Sequence, residues 1–270
     1  MNNGLKKGII TVFSANLINV IFSLATNMLL PHLLSIESYA GIKTYQLYAG
    51  YIGLMHLGFI DGMYLFMGGK KMDMLDVVNV SKEISTLRIS QMIITCLVIL
   101  SAAIINNKIL IFAALSILPV NMAMYYRYLY QSTGEYKLYG RVINSLTILT
   151  CFINLFLLFI IRTDNLYYYI IGYVLLNYLI DIGIEFYMSH KKNINIRMFC
   201  FSLSLFKKNI IAGYSLTLGN IAFSFLVCMG QWFVSFFLTT NDFAQYSFAV
   251  TLVNFINIAI TPISITLYNY

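Results

Sequence analysis

The chain has 270 residues, of which 60% are apolar and only 10% are charged, with a net charge of +7. Soluble domains are about half apolar and about a quarter charged, so this composition excludes an ordinary soluble fold. Several nearly uncharged runs are long enough to cross a bilayer, and they predict an all-α polytopic membrane protein.

Eight spans follow from these apolar runs. They lie at about 8–31, 39–67, 87–106, 109–130, 141–161, 166–188, 211–238 and 244–267. With the N-terminus in the cytoplasm, 14 Lys and Arg residues fall in the inside segments and 2 in the outside turns. This alternation is typical of the positive-inside rule, and it explains the basic charge without nucleic-acid binding.

A segment near the N-terminus is repeated later in the chain. Residues 6–23 (KKGIITVFSANLINVIFS) match residues 207–224 (KKNIIAGYSLTLGNIAFS) at nine of eighteen positions without a gap. Six spans separate the two copies, so both enter the membrane from the same side, as in transporters with parallel repeats. We therefore predict a six-helix N-terminal bundle at 1–190, a cytoplasmic interfacial linker at 191–210, which includes a short interfacial helix, and the first two helices of a second bundle at 211–270. On this logic the second bundle is incomplete, and about four further spans would complete it.

Polar residues recur on one face of several spans. They are Asn16, Asn19, Ser23, Thr26 and Asn27 in the first span, Thr217, Asn220, Ser224 and Gln231 in the seventh, and Ser247, Asn254, Asn257 and Thr261 in the eighth. Polar side chains in lipid must face protein or water. They predict either a hydrophilic substrate path between two bundles or hydrogen bonds between tightly packed helices.

Charged residues within spans are candidates for function because they are costly in a bilayer. A continuous second span would place Lys43 and Asp61 on one face, about 27 Å apart. Lys43 is interpreted either as a residue of the path or as a side chain that reaches the outer headgroups, and Asp61 could instead meet Lys70 and Lys71.

The sixth span carries two carboxylates one turn apart, Asp181 and Glu185. They could take part in ion or proton coupling, or they could pair with Arg127 or Arg141. His56 is interpreted as an interior histidine, and the 58–62 segment (GFIDG) as a site of close helix packing.

Four segments resemble a known family of transporters. They are 31–41 (PHLLSIESYAG), 57–66 (LGFIDGMYLF), 128–140 (YLYQSTGEYKLYG) and the 230–249 segment, with GQWFV and NDFAQYSFA. They resemble the polysaccharide repeat-unit flippases (Wzx-type) that serve O-antigen and capsule synthesis, within the multidrug/oligosaccharidyl-lipid/polysaccharide (MOP) exporter superfamily. The resemblance extends over nearly the whole chain, although each motif is loose.

The resemblance implies transport of an undecaprenyl-diphosphate-linked oligosaccharide across a bacterial inner membrane, with a cytoplasmic N-terminus. It implies membrane lipids, a polysaccharide polymerase and glycosyltransferases as partners, no nucleic acid and no cofactor. By position, Lys43 and Asp61 become residues of the path. Many members carry an Asp-Arg pair where this chain has Gly230 and Gln231, which departs from the pattern.

Two other functions compete with the flippase. A cation-coupled multidrug exporter of the same superfamily would need a deep carboxylate, for which Asp181 is the candidate. A membrane polysaccharide polymerase would need a sizeable outer loop, but each predicted outer turn has seven residues or fewer. The sequence has no phosphate-binding glycine loop, HExxH motif or nucleophile elbow, so no enzyme class is indicated.

Overall fold

A computed structural model describes the backbone of residues 3–192, 194–195 and 198–267, and the side chains of 17–18, 20–192, 194–195 and 198–253. Within these ranges all regular secondary structure is helical, and no strand is present. The helices are α1 (Asn3–Leu33), α2 (Ile36–Ile52), α3 (Phe59–Met67), α4 (Val77–Ile104), α5 (Lys108–Leu115), α6 (Ile117–Ser132), α7 (Tyr136–Leu155), α8 (Leu166–Lys192), α9 (Leu203–Phe237) and α10 (Thr240–Leu267). A 3₁₀ turn covers Met72–Met74, and a π-helical turn, Phe156–Ile161, extends α7.

These helices correspond to the eight predicted spans and confirm an all-α polytopic membrane fold. Both repeated segments lie inside long helices, α1 and α9. Among the residues with described side chains, five segments are long and apolar enough to cross a membrane. They are Val77–Ile104, Lys108–Ser132, Tyr136–Ile161, Leu166–Lys192 and Leu203–Phe237.

The second predicted span is not one continuous helix. α2 ends at Ile52, turns occupy 53–58, and α3 begins at Phe59. Leu57 and Gly58 have φ values of 55° and 93°, which an α-helix cannot contain. The prediction that Lys43 and Asp61 share one face of a single helix is therefore wrong, because the two residues lie on separate helices.

The predicted interfacial helix in the linker is also wrong. Residues 198–202 are not helical, and 203–210 form the first two turns of α9. The linker backbone binds α4 instead: the N–H of Cys200 donates to Ser85 Oγ at 2.6 Å, and that of Ser202 donates to Thr86 Oγ1 at 3.1 Å. These side-chain acceptors satisfy amides that a helix would otherwise have paired within itself.

The described chain divides into two compact units. Unit 1 comprises Met1–Leu47, Tyr136–Leu176 and Phe225–Tyr270, and α1 packs there against α7 and α10. Unit 2 comprises Tyr48–Glu135 and Asn177–Ser224, and α4 packs there against α5 and α6 while α3 packs against α6. The division of the sequence at 191–210 into two bundles stays a prediction, as does the orientation of the N-terminus.

In unit 1, Asp164 joins two turns. Its Oδ1 accepts a hydrogen bond from the Ser35 N–H at 2.8 Å, and its backbone carbonyl accepts one from the Ser38 hydroxyl. The hydrogen bonds from Ser35 lower the pKa of the Asp164 carboxyl below its usual value. This carboxylate therefore caps the start of α2 from a distant turn.

Replacing Asp164 with asparagine is expected to lower stability by less than about 1 kcal/mol, because the site is exposed. A lowered carboxyl pKa contributes stability that is present above the unfolded-state value and is lost as the pH falls through the folded-state value. The difference in Tm between wild type and Asp164→Asn should thus shrink as the pH falls below the usual Asp pKa of about 3.9. A constant difference across the range would contradict the capping role.

Candidate functional site

The ammonium of Lys43 is buried in unit 1 among neutral oxygen atoms. Its side chain is 4% exposed. Nζ donates to Gln46 Oε1 at 3.0 Å, to Thr251 Oγ1 at 3.0 Å and to Asn27 Oδ1 at 3.2 Å. In the described part of the chain no carboxylate lies within ion-pair distance of it. We call these four side chains the ammonium cluster.

Each partner in the ammonium cluster is held in position by its own helix. Gln46 lies three residues after Lys43 on α2, so the two share a face. Asn27 Nδ2 donates to the carbonyl of Ser23 one turn earlier on α1, and Thr251 Oγ1 donates to the carbonyl of Ser247 one turn earlier on α10. Because these donors are engaged, the oxygen atoms of Asn27 and Thr251 are left to accept from the ammonium.

A cavity of about 210 Å³ borders the ammonium cluster. Four helices line it, α1, α2, α7 and α8, and eight of its ten lining side chains are polar. These are Ser23, Thr26, Asn27, Gln46, Thr147, Thr150, Asn154 and Tyr173. We call this space the polar cavity.

Asn154 lies at the wall of the polar cavity and carries a buried, unpaired donor. The side chain is 1% exposed, and its Oδ1 accepts a hydrogen bond from the Tyr173 hydroxyl at 3.0 Å. Its Nδ2 has no hydrogen-bond partner among the described residues. A buried donor without a partner costs about 1–3 kcal/mol, so this arrangement is destabilising as it stands.

In unit 2, the break between α2 and α3 is stabilised by two buried amide side chains. Asn121 Nδ2 donates to the Ile52 carbonyl at 3.0 Å, and Gln91 Nε2 donates to the Met55 carbonyl at 3.3 Å. Asn121 also donates to Gln91 Oε1 at 2.9 Å, so the two amides position each other. Irregular backbone at membrane depth needs such partners because lipid offers none.

Asp61 is buried at the start of α3, where it contacts α9. Its carboxylate accepts a hydrogen bond from the Thr217 hydroxyl at 2.6 Å. The structure pairs Asp61 with Thr217. The expected contact with Lys70 and Lys71 is not observed. His56, 2% exposed, is an interior histidine as predicted, and its Nδ1 accepts from the Gly58 N–H at 3.1 Å.

Replacing Thr217 with valine is expected to lower the free energy of unfolding by about 1–3 kcal/mol, because the shape is kept while the Asp61 carboxylate loses its donor. The measurement is thermal unfolding of the purified full chain in detergent. Thr217→Ser is the control, since it keeps the hydroxyl. Equal stability of the Thr217→Val and Thr217→Ser variants would contradict the hydrogen bond.

The two carboxylates of α8 have different surroundings. Glu185 forms an ion pair with Arg88 and accepts from the Tyr126 hydroxyl at 3.4 Å. The prediction that Glu185 pairs with Arg127 or Arg141 is therefore wrong. The partner is Arg88, which lies on α4. Asp181 is 8% exposed, and its Oδ1 has no hydrogen-bond partner in the described residues.

The predicted path residues are only partly brought together. Ser23, Asn27 and Lys43 meet at the polar cavity and ammonium cluster. Asn220 is exposed on α9, and Ser224 and Gln231 are half-buried. The side chains of Asn16, Asn19 and Asn254 lie outside the described residues. Because Lys43 is buried, the interpretation that it reaches the headgroups is wrong.

Sequence reasoning missed several residues of the site. Gln46 and Asn154 are single polar residues outside the predicted stripes. Thr251 lies on the stripe of the eighth span, one turn after Ser247, so its position was a usable signal. The spacing of Lys43 and Gln46, three residues apart on a helix, was a usable signal. No local signal marks Asn121 or Gln91, whose roles depend on a helix break some thirty to seventy residues away.

No family model matches the sequence, and no curated protein matches it. Solved structures do match over the whole chain. One, described as MATE in the straight conformation, has a TM-score of 0.70 at 10% identity and covers 98% of this chain. A second is an outward-facing multidrug resistance MATE family transporter of the MOP superfamily, with a TM-score of 0.57 at 12% identity. That alignment covers all of this chain and 71% of that one.

A third match is a MOP superfamily transporter from Pyrococcus furiosus, described by the reverse polarity of its binding pocket. It has a TM-score of 0.60 at 10% identity and covers all of this chain. The present chain spans 63% of the MATE structure in the straight conformation and 66% of the Pyrococcus furiosus transporter. At these identities the matches establish that the chain has the fold of MOP superfamily transporters.

Proposed function

We propose that the chain belongs to a transporter that moves an undecaprenyl-diphosphate-linked oligosaccharide across the bacterial inner membrane for surface polysaccharide assembly. The observation that carries the proposal is the ammonium cluster beside the polar cavity. Lys43 is a buried positive charge that no described carboxylate neutralises. An anionic substrate rich in hydroxyl groups supplies both the missing negative charge and the hydrogen-bond partners.

The lining of the polar cavity supports a sugar more than an apolar drug. Drug-sized ligands occupy pockets of about 300–1,000 Å³ that are mostly apolar. The polar cavity is smaller, at about 210 Å³, and most of its side chains carry a hydroxyl or an amide. Each hydroxyl of a sugar can both donate and accept, so such a wall can satisfy it without a fixed charge.

We infer the mechanism of transport by analogy with transporters of the same fold. MOP-type transporters are built from two repeats, and a substrate site alternates between the two sides of the membrane. Two hydrogen bonds of this chain tie the first six spans to the last two, Lys43–Thr251 in unit 1 and Asp61–Thr217 in unit 2. In this proposal both hydrogen bonds break and re-form as the transporter changes between its two states.

A second candidate function is a cation-coupled multidrug exporter. Asp181 favours it, because a buried carboxylate with an unpaired oxygen atom suits a proton or a monovalent cation. The uncompensated ammonium of Lys43 opposes it, since a cationic drug in the polar cavity would meet a like charge. Asp181 and Glu185 could supply coupling in either transporter.

Deletion of the gene that encodes this chain tests the proposal. The flippase predicts that lipid-linked repeat units accumulate on the cytoplasmic leaflet while surface polysaccharide is lost. Restoration by the full chain is the control. Unchanged surface polysaccharide, together with increased sensitivity to cationic drugs, would replace the flippase with the exporter. Glycosyltransferases and a polysaccharide polymerase are the partners expected in the same biosynthetic pathway.

A further inference from the structure

We infer that Glu83 of α4 is a proton-binding site that holds the start of α9 in place. While α9 is docked, the Glu83 carboxyl group carries a proton and donates it to the side-chain oxygen atom of Asn209. The O–H bond breaks and the proton passes to water when α9 moves away. This inference goes beyond the proposed function, because it concerns a movement of the chain and does not depend on the cargo.

Glu83 lies in the interior of unit 2 among three helices. Its side chain is 5% exposed, and its Oε2 accepts a hydrogen bond from the hydroxyl of Tyr125 on α6 at 3.0 Å. The side chain of Asn209 on α9 also faces the carboxyl group. Tyr125 and Asn209 are both fully buried. Because Asn209 belongs to α9, the enclosure of Glu83 depends on α9 staying in place.

The charge on an ionised Glu83 has no close partner. No ion pair in the described part of the chain includes this carboxyl group. The charged groups that face it are Lys208 at the start of α9 and Lys70 after α3, and both are exposed to solvent. The Lys208 ammonium instead lies over the ring of Phe66, 4.3 Å from its centroid. Exposed charges are screened by water, and a buried carboxyl group without an ion pair is neutralised by a proton.

Asn209 has an acceptor that a protonated Glu83 satisfies. Neither its Oδ1 nor its Nδ2 has a hydrogen-bond partner among the residues that the structure describes. A carboxylic acid donates one hydrogen bond, whereas an ionised carboxylate only accepts. The amide can serve either form, since its NH₂ group can donate to a carboxylate and its oxygen can accept from an acid. The missing counter-ion is therefore what decides for the proton, and the acid still accepts from Tyr125.

The contact of α9 with α3 links this proton to the position of α9. A Cβ at Gly62 would lie 2.8 Å from the Cα of Asn209, so the two backbones touch at the level of the site. A movement of α9 away from α3 withdraws Asn209 and admits water to Glu83. Water stabilises the ionised form, so opening releases the proton. By reciprocity, binding of the proton favours the docked position of α9.

Infrared difference spectroscopy of the full chain in lipid nanodiscs tests the protonation. At about pH 7 the wild type should show the C=O band of a protonated carboxyl group that Glu83→Gln removes. This variant should fold, because its amide can donate to Asn209 and accept from Tyr125. Glu37→Gln, at an exposed position of α2, is the matched control and should leave the band unchanged. A band that persists unchanged in Glu83→Gln would overturn the inference.

The distance between spin labels on α3 and α9 tests the linkage. Leu65 and Ser204 are exposed positions for the labels, once the four native cysteines are replaced by alanine. As the pH rises from about 6 to about 9, the fraction with the docked distance should fall at least about twofold. Glu83→Gln resembles the protonated acid at every pH and should keep the docked distance throughout.

The contrary outcomes of the distance measurement are also decisive. A wild-type distance that ignores the pH, or the same pH dependence in Glu83→Gln, would show that Glu83 does not control α9. Neither measurement uses a cargo, so such a result leaves the proposed function standing. If deletion of the gene leaves surface polysaccharide unchanged while the pH response of α9 is observed, the proposed function fails and the proton site stands.

Discussion

Alanine at position 62 is expected to prevent the chain from folding. A Cβ there would lie 2.6 Å from the backbone carbonyl carbon of Asn209 and 2.8 Å from its Cα. On the facing helix, a Cβ at Gly213 would lie 2.5 Å from the backbone nitrogen of Gly62. Backbone atoms of two packed helices cannot move aside as a flexible side chain can, so we expect a loss of more than about 3 kcal/mol.

The measurement for Gly62→Ala is the yield of monodisperse protein from fluorescence-detected size-exclusion chromatography. Gly183→Ala is the matched control, because Gly183 also lies inside a helix of unit 2 and has nothing within 4 Å of an added Cβ. The control should keep the wild-type yield and gain up to about 1 kcal/mol from the better helix propensity of alanine. Wild-type yield from Gly62→Ala would show that α3 and α9 do not approach so closely.

Replacing Lys43 with methionine is expected to reduce surface polysaccharide at least about tenfold in a complementation assay, because the buried charge is lost. The substitution keeps an unbranched side chain but removes the buried charge. It also leaves the oxygens of Asn27, Gln46 and Thr251 without their shared donor. The proposed anionic substrate would then pass a site that lacks the buried cation beside the polar cavity.

The loss of transport by Lys43→Met must be separated from a loss of protein. Membrane levels and size-exclusion profiles of each variant are therefore measured and used to normalise the polysaccharide signal, because Lys43→Met leaves three oxygens without their donor and is expected to lower stability. Lys108→Met, at an exposed position at the start of α5, is the control and should complement fully. Full complementation by Lys43→Met would remove Lys43 from the transport path.

The tight crossing of α3 and α9 shows one way in which a sequence pattern was informative. The GFIDG segment predicted close helix packing, and the structure confirms it at Gly58 and Gly62. The pattern could not reveal that the partner is Gly213, because the two helices are some 150 residues apart in sequence. The Asp61–Thr217 hydrogen bond depends on that same crossing. The sequence assigns both residues to a polar path but does not show that they contact each other.

The sequence by itself determined the class of fold, an all-α polytopic membrane protein. Apolar length, the alternation of Lys and Arg and the repeat at 6–23 and 207–224 are local or periodic properties of the chain, and the helices follow them closely. The break at 53–58 was not predictable in this way. An apolar stretch with two glycines is compatible with a continuous helix, and the break is stabilised by Asn121 and Gln91 from other helices.

Only the tertiary structure decided what surrounds the charged residues. Lys43 could reach solvent or remain buried, and its sequence neighbours allow both. Thr251 on α10 and Asn27 on α1 supply the acceptors that make burial possible. Glu185 likewise meets Arg88 because α4 packs against α8 at that level. A charge in a membrane protein is costly alone and tolerable with partners, and those partners come from helices far away in the sequence.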